Sequence, residues 1–188
     1  MTKTLSSALI VFLVAAALPA FAKPSEVETK RAETRRDSEK ILNELYKIQP
    51  AAKKAISASA GYAVFSDFGM KIFVAGGGSG SGLAVQPSNK RQVFMKMVEV
   101  QTGLGLGIRS IKLVFVFDTE KAFENFVTAG WEGPAQNIPA ASDGNKAGAY
   151  QGAISPSPGV WVYQITGKGL ATELTLKGTK YFKDNALN

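Results

Sequence analysis

From Gly61 onward, apolar residues come in short runs that alternate with polar ones and are cut every few positions by Gly, Ser, Asn or Pro. A period of two sends successive side chains to opposite faces of an extended backbone, and runs this closely spaced leave no room for the long crossovers that parallel strands require. Mainly antiparallel pairing follows. The pattern predicts about eight or nine strands: Tyr62 to Phe65, Lys71 to Ala75, Gly82 to Gln86, Gln92 to Val100, Leu104 to Arg109, Ile111 to Phe117, Ala147 to Ala153, Val160 to Ile165 and Leu170 to Leu176. Pro87-Ser88-Asn89-Lys90 has the composition of a hairpin turn. Such a set can curl into a barrel or form a two-layer sheet, and the expected class is α+β. Trp161, Tyr163 and Ile165 fall on one strand face and read as an aromatic core layer.

Helical signals flank and interrupt the strands. Ser25-x-x-Glu28 reads as a capping box opening an N-terminal helix, whose stripe of Ile41, Leu45 and Ile48 is confined to the C-terminal half. Residues 28 to 40 are almost wholly polar, so only that second half is expected to be anchored. Pro50 breaks this helix and suits the start of a short second one, Pro50 to Ser57, carrying Lys53 and Lys54. A third helix starts at a cap on Asp118 or Thr119, buries Ala122, Phe123, Phe126 and Val127, and stops at Gly130. Glu132 to Lys146 reads as the longest irregular loop.

Ahead of these elements, Lys3, the apolar run Ala8 to Leu18 and Ala20-Phe21-Ala22 have the form of a secretory signal peptide over residues 1–22. The run is shorter than the roughly 20 residues needed to span a bilayer. A periplasmic or secreted protein is expected, with residues 23–58 helical and 59–188 β-rich. Removing Lys3 from a chain of net charge +7 leaves +6, a surplus that favours anionic partners. Nucleic acid is not expected for an exported chain.

The sequence contains neither Cys nor His. Thiolate nucleophiles, disulfides, His-type zinc sites and Ser-His-Asp triads are therefore excluded. Asp67, Glu99, Asp118 and Glu173 could act as acid and base, but no spacing pairs them, and no calcium loop is present. The chain is read as a non-enzyme without cofactor or metal. The cluster Gly76-Gly77-Gly78-Ser79-Gly80-Ser81-Gly82 lacks the Lys and the following helix of a phosphate loop, and is expected to be a hairpin connection whose glycines supply positive φ. In Gly103-Leu104-Gly105-Leu106-Gly107 the glycines alternate, which leaves one strand face bare for close approach by a ring, the N-terminal helix or a ligand.

The order Pro50-x-x-Lys53-Lys54-Ala55-Ile56, Gly61-Tyr62-Ala63-Val64-Phe65, the glycine run ending at Gly82, Gly103 to Gly107, Lys112 to Trp131 and Lys168-Gly169-Leu170 to Gly178 resembles the SYLF domain family. These are lipid-binding modules also named after a yeast actin-binding protein. The resemblance covers about residues 40 to 183 and implies a non-catalytic module of the bacterial envelope that binds anionic phospholipid. No actin is expected for an exported bacterial protein. Candidate lipid contacts are Lys53, Lys54, Lys71, Lys90, Arg91, Arg109 and Lys112. The alternative is a structural or protein-interaction component of the periplasm that uses the charged N-terminal helix to meet an envelope protein.

Overall fold

The computed structural model describes residues 25–66, 77–100, 112–133, 138–139, 149–174, 176 and 178–188. The fold is α+β, a mostly antiparallel half-barrel sheet with three helices among the described residues. Strands β1 (Gly61–Ser66), β2 (Gly77–Gln86), β3 (Arg91–Val100) and β4 (Lys112–Phe117) are followed by two short ones, β5 (Trp131–Glu132) and β6 (Ile138–Pro139). Then come β7 (Ile154–Ser157), β8 (Val160–Thr166), β9 (Gly169–Leu170), β10 (Glu173–Leu174) and β11 (Thr179–Lys183). The main sheet runs β5-β11-β3-β2-β1-β4-β8-β7, with β9 paired to β8, while β10 and β6 form a separate ladder.

Both faces of this sheet are buried at its centre. On one, Ala63, Phe65, Leu113, Phe115, Phe117, Val162 and Tyr181 meet helix α3 (Glu120–Ala129) through Phe123, Phe126 and Val127. On the other, Val64, Val114, Val116, Trp161, Tyr163 and Ile165 meet α1 (Glu26–Ile48) and α2 (Ala51–Ser57) through Ile41, Leu45, Ala52 and Ile56. The Trp161, Tyr163 and Ile165 layer is thus core, as its period implied. Rings fill the α3 face: Phe65 lies edge-on to Phe115 at 5.7 Å and to Tyr181 at 4.8 Å.

Two glycines of β2, Gly80 and Gly82, are there for space and not for turning. Gly77 to Gly82 belong to an extended strand, and the positive-φ glycines among the described residues lie elsewhere, at 130, 152, 159, 169 and 178. Gly82 stands opposite Phe65, and a Cβ there would overlap the Phe65 ring and approach the Val64 carbonyl to 2.9 Å. Gly61 makes the same allowance for Phe123. The expectation of a glycine-built hairpin connection is corrected for Gly77 to Gly82. Gly103 to Gly107 lie outside the described residues, as do the expected strands Lys71 to Ala75 and Leu104 to Arg109.

Helix ends follow their sequence signals. Ser25 Oγ accepts the Glu28 N–H at 3.2 Å and Thr119 Oγ1 accepts the Ala122 N–H at 3.2 Å. Gly130, at φ 78°, ends α3. The turn at 87–90 is also as expected, with Asn89 Oδ1 accepting the Arg91 N–H at 2.9 Å and Lys90 at φ 59°.

Three expectations are corrected. Residues 149–153 form turns rather than the second half of a strand, closed by the Ala153 N–H to Tyr150 carbonyl bond and Gly152 at φ 85°. Leu170 to Leu176 does not stay with one partner. Gly169, at φ 109°, folds β9 back on β8, and β10 then pairs with β6. The stretch from Glu132 is not wholly irregular, because Trp131 and Glu132 pair with β11, and Ile138 and Pro139 with β10.

The polar half of α1 is held down, contrary to expectation. Arg31 and Arg35 lie over the buried Phe94 ring at 5.8 and 5.0 Å. Arg31 Nε donates to the Leu187 carbonyl at 2.8 Å and Arg35 Nε to Gln92 at 2.8 Å. Thr34 and Ser38 are buried beneath, and the Thr34 hydroxyl is satisfied by the Lys30 carbonyl. Leu187 joins Leu83 and Phe94 in a third cluster, and the Asn188 side chain brackets the Phe94 backbone, accepting its N–H at 3.1 Å and donating to its carbonyl at 2.8 Å. Arginine stems over a ring supply the contact that an aliphatic stripe supplies elsewhere.

Two substitutions test this packing. Gly82→Ala is expected to destabilise by about 1–3 kcal/mol because the Phe65 ring has no free volume to move into. Gly167→Ala, with open space around it, should fall within about 0.5 kcal/mol of the parent, both read from urea midpoints. Tyr163 is fully buried, its hydroxyl has no hydrogen-bond partner among the described residues, and burial pushes it up to about 12. Tyr163→Phe should therefore match or exceed parent stability at pH 7, by up to about 1 kcal/mol. The folded hydroxyl titrates above an unfolded tyrosine at about 10, so it contributes stability below pH 10 that is lost between pH 10 and 12. Denaturation at pH 9 and 11 should show a smaller loss in Tyr163→Phe than in the parent.

Candidate functional site

Strand registers define one end of the sheet. Gly61 pairs with Phe117, Phe117 with Val160, and Gln86 with Arg91, so the start of β1, the β2–β3 turn, the end of β4 and the β7–β8 turn meet there. Helix α2 runs into this end through the Ala60 N–H to Phe117 carbonyl bond, and α3 leaves from it.

Helical spacing decides where the α2 lysines point. Ala52, Ala55 and Ile56 are buried, which turns Lys53 and Lys54 to solvent. Lys90 is exposed in the β2–β3 turn. None of these three has a carboxylate partner among the described residues. Arg91 shares the turn but forms an ion pair with Glu124 of α3. Lys121, in the first turn of α3, is a fourth exposed cation at this end without a carboxylate partner among the described residues, and no sequence motif marked it. Its acidic neighbours are engaged elsewhere: Glu120 accepts from Gln86 Nε2 at 3.5 Å and Glu124 from Arg91.

The remaining candidates divide differently. Lys112 lies at the opposite end, paired across the ladders with Ser66 and Ile165, and its Nζ bonds both Glu44 oxygens at 2.9 and 2.7 Å. It ties α1 to β4 through this ion pair. Arg91 is likewise ion-paired, with Glu124. Lys71 and Arg109 lie outside the described residues. Elsewhere, Lys30 pairs with Glu26 at 2.6 Å, Lys40 with Asp37 at 3.2 Å, Lys96 with Asp184 at 3.1 Å and Lys180 with Glu132 at 3.3 Å, whereas Lys47, Lys168 and Lys183 are exposed without a carboxylate partner among the described residues. Exposed pairs of this kind contribute little to stability, but they remove long-range field from those surfaces.

Asp118 has a structural task at the same end. Its carboxylate accepts from the Tyr150 hydroxyl at 2.6 Å and from Trp161 Nε1 at 3.2 Å, and the two rings stack at 4.8 Å. Burial, then the bond to Asp118 and its charge, raise the Tyr150 hydroxyl well above the ordinary tyrosine range. A phenol held protonated and donating to a carboxylate is a clamp between the 149–153 turns and the start of α3. Among the described residues no helix is long and apolar enough to cross a membrane, and no group of three or more acidic side chains could hold a metal ion.

No family model matches the chain. It is similar to beta cell expansion factor A of Aeromonas veronii, with 31% identity over 150 residues, an alignment covering 78% of this chain and 54% of that protein. The chain thus spans about half the length of the curated relative it matches.

Proposed function

We propose that the chain is a non-catalytic, SYLF-like lipid-binding module of the bacterial cell envelope. In this reading it is exported by the signal peptide at residues 1–22 and binds anionic phospholipid from the periplasmic side through a basic surface. The observation that supports it is the set of exposed lysines at one end of the sheet, Lys53, Lys54, Lys90 and Lys121, none with a carboxylate partner among the described residues. Each basic residue held near an anionic leaflet contributes about 1 kcal/mol, so this set gives binding that is weak, reversible and sensitive to salt. In this reading the end of the sheet that carries four such lysines turns toward the bilayer.

A second reading is a structural or protein-interaction role in the periplasm. It draws on the outer face of α1, where Glu33, Arg36, Glu39 and Lys40 are exposed. The inner face of that helix is already occupied by Phe94 and the 184–188 segment.

Flotation with vesicles separates the two. Vesicles containing phosphatidylglycerol should carry the protein at low salt and release it toward 1 M salt, where the Debye length falls to about 3 Å. The triple variant Lys53→Gln, Lys54→Gln, Lys90→Gln should bind about a hundredfold more weakly, which is the loss of about 3 kcal/mol. Equal flotation on neutral phosphatidylcholine vesicles, or no effect of the triple variant, would refute the basic-surface reading.

A further inference from the structure

Helix α3 presents three differently used faces. Phe123 and Val127 are buried in the core, the former against Gly61. Glu120 and Glu124 turn toward the β2–β3 turn, where Gln86 and Arg91 engage them. The third face, bearing Lys121, Ala122 and Asn125, borders a cavity of about 330 Å³ between α3 and the β7–β8 turn. Phe117, Phe126, Trp131 and Val160 line its apolar part. Gly130, at φ 78°, lets the chain turn sharply enough to set Trp131 beside α3, where it contacts Phe115 edge-on at 5.6 Å. Trp131 is half-buried, so one part of its ring is core and another is cavity wall.

We propose that this cavity binds a single-chain amphipathic carboxylate, the anion of a medium-chain fatty acid, with its chain against Trp131, Ala122 and Val160 and its carboxylate at Lys121. The volume lies at the small end of the range for small-molecule sites, about 300–1,000 Å³, which suits a single chain. Charge complementarity selects the headgroup. The acids nearest in sequence, Glu120 and Glu124, are committed to the β2–β3 turn, so a carboxylate from outside supplies the acceptor that Lys121 lacks among the described residues. The inference takes its ligand class from the lipid-binding reading and shares Lys121 with the basic surface, but it concerns an open cleft beside α3 and not Lys53, Lys54 or Lys90.

The test is a titration of the 15N-labelled chain with sodium decanoate below its micelle concentration, followed at the indole N–H resonances of the two tryptophans. A saturable shift of Trp131 that exceeds any shift of Trp161 is expected, with decanol at least about tenfold weaker because it lacks the charge. Lys121→Glu should weaken decanoate by at least about tenfold, and Ala122→Trp, which fills the cavity, should abolish it. An unmoved Trp131 resonance would overturn the proposal, as would equal affinities for decanoate and decanol or an unaffected Lys121→Glu. Lys121 is exposed, so that variant reports on binding even if Ala122→Trp disturbs folding. Flotation on phosphatidylglycerol vesicles without decanoate binding sinks the cavity proposal alone. Decanoate binding without flotation sinks the basic-surface reading alone.

Discussion

The burial of β1 and β4 on both faces governs the rest of the structure. A strand with one wet face needs one covering layer; Ala63, Val64, Phe65 and Leu113 to Phe117, all buried, need two. Helix α3 covers one side while α1 and α2 cover the other, and both layers converge where β1 begins and β4 ends. Burial of this kind is the main favourable term in folding, so the position of the exposed lysines at that end follows from core geometry. The small residues Gly61 and Gly82 complete the arrangement by giving Phe123 and Phe65 room over the backbone.

Much of this was legible in the sequence where local pattern and tertiary demand agree. The strands around Tyr62 to Phe65, Gln92 to Val100, Leu113 to Phe117 and Val160 to Ile165 alternate or run apolar without interruption, and α3 carries both its caps. Strand β11 was not legible. Only Thr179 and Tyr181 are buried in it, and Lys180 and Lys183 give it the composition of a tail. Its strand character comes from partners far away in sequence, Met95 to Glu99 on one side and Trp131 with Glu132 on the other. The Leu170 to Leu176 segment shows the converse: its alternation is real, since Leu174 and Leu176 are buried, but the chain leaves β8 after Ala171 and joins β6 from Glu173.

The candidate site was half legible for a similar reason. Exposure of Lys53 and Lys54 follows from helical spacing, and that of Lys90 from turn chemistry, both local. Whether a cation is free depends on what the fold brings to it. Glu44 lies 68 positions from Lys112, and Glu124 lies 33 from Arg91, separations at which spacing rules carry no information. Lys121 went unmarked because its significance comes from the two acids beside it being drawn to the β2–β3 turn. The polar half of α1 was misleading because its seat is an aromatic ring under arginine stems, which hydropathy does not register as an anchor.

The placement of β11 has a consequence for how the molecule comes into being. This late segment is inserted between β3 and β5, and Leu187 just beyond it receives a hydrogen bond from Arg31, 156 positions earlier. A nascent chain that has not yet released these residues has an unclosed sheet, with the β3 edge unpaired, and an unseated first helix. Contacts this distant in sequence form slowly, after long loops have been ordered.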